Sequence, residues 1–179
     1  MAQSRGAGEK DRLVDLAVMY SSLRSNTTTN NSYWMNGGTA ELAIPVWRNL
    51  SVVGEVGGHA TAQLPYANNT GQSLITGMGG LRLRIPNHTK FQPYAQALVG
   101  GVHGFGSYFP ATTASYDSAL AMALGGGVDW AVSKHVWIRL PQADYYYTRF
   151  GNLAGDGQNR IRLSAGVVVR FPHWLWERQ

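Results

Sequence analysis

Residues 159–171 of the chain read NRIRLSAGVVVRF and alternate with period two. Ile161, Leu163, Ala165, Val167, Val169 and Phe171 fall on one side; Arg160, Arg162, Ser164, Gly166, Val168 and Arg170 fall on the other. Successive side chains of a strand point to opposite faces, so this pattern specifies a β-strand and not a helix. It leaves open what each face meets. Around an oily core the apolar row turns inward and the arginines face water. In a membrane barrel the apolar row faces lipid and the arginines point into the interior.

The rest of the chain repeats the alternation. Further strands are expected at 12–24, 34–44, 50–63, 73–85, 91–105, 118–132 and 136–150, about eight in all. One parity carries Leu16, Val18, Leu42, Val56, Leu81, Leu83, Ala97, Val99, Met122 and Leu124 and almost no charge. The other carries Asp15, Glu41, Glu55, Asp129 and Asp144 together with Arg82, Arg84, Arg139, Arg160, Arg162 and Arg170, along with His59, Gln96 and Gln142. In 136–150 that assignment needs a register slip at Pro141: a bulge there brings Gln142 and Asp144 to the side of Arg139.

Three arguments favour lipid outside. Only 14% of residues are charged, against roughly 25% in soluble domains. Most of the expected strands exceed the five or six residues usual in soluble sheets, and they match the about nine to eleven that a tilted membrane strand needs. A charge facing lipid costs about 2–4 kcal/mol at the midplane for Arg or Lys, so the charged parity must line the interior, with acids and arginines paired there. No window reaches the about 18 uninterrupted apolar residues of a spanning helix. Connections are expected to alternate, tight after strands two, four and six and extended after one, three, five and seven. That is the arrangement of short periplasmic turns and longer extracellular loops. Aromatic girdles are expected from Trp47, Trp130, Trp137, Trp174, Trp176 and Phe171 at the turn end and from Tyr20, Tyr33, Trp34 and 145–147 at the loop end.

Taken together, SALAMALGGGVDWAVSKHVWIRLPQADYYYTRF and the closing RIRLSAGVVVRF make residues 12–171 resemble the small outer-membrane β-barrel family, the single-chain barrels similar to the transmembrane domain of outer membrane protein A. The resemblance implies an all-β, closed antiparallel up-and-down transmembrane β-barrel in the bacterial outer membrane. It implies outer-membrane lipids and lipopolysaccharide as surroundings, and the barrel insertion machinery as an assembly partner. The alternating Leu163, Ala165, Val167, Val169 and Phe171 are similar to the family's C-terminal insertion signal, although PHWLWERQ follows where the family signal usually ends the chain. Residues 1–11 are expected to be a disordered polar tail and 172–179 an interfacial one. Residues 1–12 contain no apolar signal-peptide core, so the chain reads as a processed form with an added start Met.

A search for chemistry returns little. Glu55 and His59 share a face and could act as base and orienter, but neither Thr61 nor Ser107, beyond His103, is placed as a nucleophile. His88, His135 and His173 have no zinc-ligand spacing, and there is no Cys. The glycine clusters match no phosphate-binding loop. The +5 charge is scattered rather than gathered into a nucleic-acid footprint. The expectation is a monomeric, non-enzymatic barrel with no cofactor or metal and no nucleic acid, its interior filled by a charged network, structural or at most a narrow pore. The alternatives are a barrel-type outer-membrane lipid-modifying hydrolase and a soluble lipocalin-like ligand-binding barrel.

Overall fold

The computed structural model describes residues 13–26, 32–61, 72–87, 89–106, 116–149 and 158–172. They form β1 (Leu13–Asn26), β2 (Ser32–Trp47), β3 (Leu50–Thr61), β4 (Gln72–Arg84), β5 (Phe91–Gly106), β6 (Tyr116–Ala131), β7 (Val136–Arg149) and β8 (Gln158–Pro172). Each strand pairs antiparallel with the next, and β8 returns to pair with β1, so the sheet is a closed up-and-down barrel with no free edge.

The parity rule holds around the wall. Val18, Val56, Leu81, Val99, Leu124 and Val167 are all exposed, as a lipid-facing belt requires, while Asp15, Glu41, Arg82, Arg139 and Arg162 are at most 1% exposed. A water-soluble barrel would reverse this, leaving its arginines in solvent and enclosing its aliphatic side chains. The lipocalin-like alternative is thereby overturned.

The bulge in β7 lies at Pro141. Opposite β6, Leu140 pairs with Val128 but Ala143 with Gly126; opposite β8, Arg139 pairs with Gly166 but Gln142 with Ser164. β7 therefore holds one residue more than either neighbour. Pro141 cannot donate to the ladder, so this is where the extra residue costs least. Past it, Gln142 and Asp144 return to the inner side beside Arg139.

Three expectations need correction. The tight turn expected at 45–49 is confined to Arg48–Asn49, because β2 continues through an irregularity at Pro45 to Trp47. The short-long alternation holds, each loop-end connection being longer than the turns next to it in chain order, although the β1–β2 ladder runs out to Asn26 opposite Ser32 and leaves 27–31 no longer than the turn 85–90. Trp137 is not a girdle residue: it shares inner parity with Arg139 and packs on Ala17, Met19 and Val168. Tyr146 likewise faces inward and is buried, whereas Tyr145 is exposed. At the turn end the girdle is carried by Trp47, 72% exposed, and by Phe91 stacked on Trp130 with ring centroids 6.2 Å apart. Both tails, Tyr33's side chain, His88, Ser107, His173, Trp174 and Trp176 lie outside the described residues and side chains.

The interior is not charged throughout. On β4, β5 and β6 the inner row changes character along each strand. Toward the turns it reads Arg82 and Arg84, Tyr94 and Gln96, and Asp129; toward the loops it reads Leu74 and Met78, Leu98 and Val102, and Ala121 and Ala123. The second set joins Leu23, Met35 and Tyr146 in one buried apolar cluster. The expected charged filling is thus joined, on the loop side of these strands, by an apolar core of ordinary kind.

Candidate functional site

Asp15, Glu41, Glu55, Asp129 and Asp144 are joined with Arg82, Arg84, Arg139, Arg162 and Arg170 in one connected network. At its turn end Asp15 on β1 accepts from Arg84 on β4, and Arg170 on β8 lies with its Nε 3.2 Å from Asp15 Oδ1. Asp15 and Arg170 are register partners across the strand pair that closes the barrel. Arg170 also donates to Asp129 Oδ2 (3.2 Å), which with Oδ1 receives a bidentate fork from Arg139 (2.8 and 3.2 Å).

From Arg139 the network crosses the lumen. Its Nη1 donates to Glu41 Oε2 at 2.7 Å, and the same oxygen accepts from Arg82. Arg82 Nε donates to Gln96 Oε1 (3.0 Å), and Gln96 Nε2 donates to Asp144 Oδ1 (3.4 Å). Arg162 closes the chain, giving Nε and Nη2 to Asp144 Oδ2 (3.0 and 2.7 Å) and both terminal nitrogens to Glu55 (2.5 and 2.7 Å). Gln142 bridges the middle: its amide donates to Asp144 (2.7 Å) and Glu41 (3.4 Å), and its carbonyl oxygen accepts from Tyr94 (2.5 Å).

Aromatic faces complete the packing of the cations. The guanidinium carbons of Arg82 and Arg139 lie 4.4 and 4.6 Å from the Tyr94 ring centroid, and that of Arg170 lies 3.7 Å from the Trp137 ring centroid. Room for this comes from the β6 glycines. A Cβ on Gly127 would sit 2.9 Å from the Tyr94 hydroxyl and 3.1 Å from Gln142 Cα. Arginine suits every node because its planar fork offers several donors at once, and each buried carboxylate here meets at least one.

All of the inner-parity residues singled out from the sequence, Arg160 included, lie on the inner wall; Arg84, at the turn end, is the least enclosed of them. His59 stands apart from the carboxylates. Ser164 Oγ donates to Ser21 Oγ (3.1 Å), and Ser21 in turn shares a hydrogen bond with His59 Nε2 (2.9 Å). Ser21 and Ser164 were not singled out from the sequence, although both lie on inner parity; they are register partners on β1 and β8, which only barrel closure brings together.

A serine beside a histidine prompts the question of hydrolysis, and the geometry answers against it. His59 Nδ1 has no hydrogen-bond partner among the described residues, and Glu55, the expected orienter, spends both oxygens on Arg162. Ser21 is fully buried, so a substrate has no approach to its hydroxyl. Among the described residues no group of His, Asp and Glu is disposed to hold a metal ion.

The residues of the insertion-signal pattern, Leu163, Ala165, Val167, Val169 and Phe171, all lie on the outward row of β8, with Val169 only half-exposed.

A closed eight-stranded antiparallel barrel, apolar outside and ionic at its centre, defines the class: the chain has the fold of the small outer-membrane β-barrels. Solved structures agree. Neisserial surface protein A matches with a TM-score of 0.70 at 16% identity, over 88% of this chain and 97% of that one. Ail, the attachment invasion locus protein of Yersinia pestis, matches at 0.63 with 16% identity, over 90% and 99%. The outer membrane protein AlkL, solved in lipid bilayers, matches at 0.55 with 15% identity, over 96% of each chain. No protein-family model matches the sequence, and no curated protein matches it.

Proposed function

We propose that this protein is a non-enzymatic, monomeric integral protein of the bacterial outer membrane, a sealed anchor that displays its longer connections at the cell surface. The observation that carries this is the ionic network spanning the lumen from Arg84 to Glu55, flanked toward the loops of β4, β5 and β6 by a buried apolar cluster. An eight-stranded barrel is just wide enough for side chains to fill, and here guanidinium, carboxylate and amide groups occupy the turn side while Leu74, Leu98 and Met35 occupy the loop side.

The enclosed Ser21–His59 pair supports the non-enzymatic reading over the lipid-modifying hydrolase. Lipopolysaccharide and phospholipid are then the barrel's surroundings, and the outward row ending in Phe171 serves as its insertion signal. The test is conductance of the refolded barrel in planar bilayers, alongside heat-modifiable mobility in detergent. The expected result is a compact band that shifts on boiling, with at most small, flickering currents. Large, stable steps of porin size would refute the sealed interior, and the absence of a heat-shifted band would refute the membrane barrel itself.

A further inference from the structure

We infer that the turn-end rim of the barrel binds anionic phospholipid headgroups of the leaflet it faces, through three cation-aromatic stations. The inference rests on the membrane reading above and goes further in naming a lipid class and the residues that select it.

The three turns at this end are built alike. Exposed Trp47 leads into exposed Arg48 in the β2–β3 turn; exposed Lys90 precedes exposed Phe91 at the start of β5; exposed Trp130 and Val132 precede exposed Lys134 in the β6–β7 turn. Each turn thus carries an exposed cationic residue within a few positions of an exposed apolar one at the edge of the lipid-facing belt, which is where headgroups lie.

Two of the turns hold their cation out by spending their own polar groups internally. In 85–90 the Asn87 side chain accepts from Thr89 N (3.2 Å) and donates to Phe91 O, while the Thr89 hydroxyl accepts from Phe91 N (3.2 Å). In the β6–β7 turn, Ser133 Oγ accepts from the backbone of His135 (3.3 Å) and Val136 (3.1 Å). Lys90 and Lys134 are left projecting from closed turns.

The charge balance points to an anion from outside the protein. Arg48, Lys90 and Lys134 take part in no ion pair among the described residues. Every carboxylate whose side chain is described, Asp15, Glu41, Glu55, Asp129 and Asp144, is buried in the lumen and bound to arginine there. The described rim therefore has cations and no acids. An exposed lysine is ordinarily just solvated; what sets these apart is the same pairing with a belt-edge apolar group in each of three turns, around a rim whose described residues offer them no counter-charge. A basic residue held near a membrane surface gains from anionic lipid by about five-fold in association at low salt.

The test uses the full chain refolded into mixed vesicles of phosphatidylglycerol and phosphatidylcholine, with bromine on one lipid or the other to quench tryptophan. Trp47 and Trp130 sit at the stations and report which lipid is beside them. Brominated phosphatidylglycerol is expected to quench more strongly than its mole fraction warrants, by about five-fold enrichment at low salt, and the excess should fade as salt screens it. In R48Q/K90Q/K134Q the excess should vanish while the heat-shifted band is kept. No preference in the unaltered protein, or an equal preference in the variant, overturns the inference and leaves the barrel reading standing. Failure to insert in either composition overturns both.

Discussion

Along β4, β5 and β6 the inner wall of this barrel is two materials joined end to end. Toward the turns, Arg82, Gln96, Asp129 and Arg139 are held by directional bonds whose worth depends on every partner being present. Toward the loops, Leu74, Met78, Leu98 and Val102 are held by non-directional packing that degrades gradually as volume is removed. The contrast teaches that one lumen can be sealed in two ways, by a polar lattice that loses much when a single member goes and by an apolar plug that loses in proportion.

The largest expected effect comes from the joint between them. Deleting Pro141 alone only removes the extra residue of β7 and keeps Asp144 and Tyr146 inward, whereas deleting it together with Gln142 leaves β7 one residue short of its neighbours and, by plain alternation from Arg139, turns both outward. That takes Asp144 from Arg162 and sets a carboxylate toward lipid. No compact, heat-shifted band should form on unboiled gels; a normally folded barrel would show that the residue count past Arg139 is not what turns Asp144 inward.

Next are single truncations on either side. Glu41→Ala strands Arg82 and Arg139 without their shared carboxylate and should cost about 3–5 kcal/mol, as breaking a buried ion pair does. Leu74→Ala in the apolar part should cost about 2–3 kcal/mol, toward the low end for a buried leucine. Urea unfolding of both variants in the same detergent checks the order, and equal losses would erase the distinction between the two materials. The smallest effect is expected for Ser21→Ala. It frees the His59 ring from its hydrogen bond and should cost about 1 kcal/mol, with no change in any lipid-hydrolysis assay. A loss as large as that of Glu41→Ala would make the serine-histidine pair a full part of the ionic lattice.

Much of this was legible in the sequence wherever a charge marked the parity. Arg82, Arg84, Arg139 and Arg162 cannot face lipid, so their rows declared themselves inner, and the need to keep Asp144 with Arg139 located the bulge at Pro141. Uncharged rows carry no such mark. Leu98 and Val99 are both apolar, yet one is buried in the lumen and the other lies in the outer belt, and it is Gln96, on the row of Leu98, that tells them apart. The apolar plug was nonetheless not foreseen, and Trp137 and Tyr146, both on inner parity, were counted with the girdles. The partnerships were also hidden. That Glu41 meets Arg82 and Arg139, or that Ser21 meets Ser164, follows from the stagger of the closed sheet, which no local pattern encodes.

Closure also gives Asp15 and Arg170 a role during assembly. Before the first and last strands meet, one open margin of the sheet presents an inward carboxylate and the other an inward guanidinium. Each is an isolated ion that discourages a stray apolar strand from docking there. Their union at 3.2 Å discharges both margins together, so the barrel gains its final ion pair only when the seam is zipped in the right register.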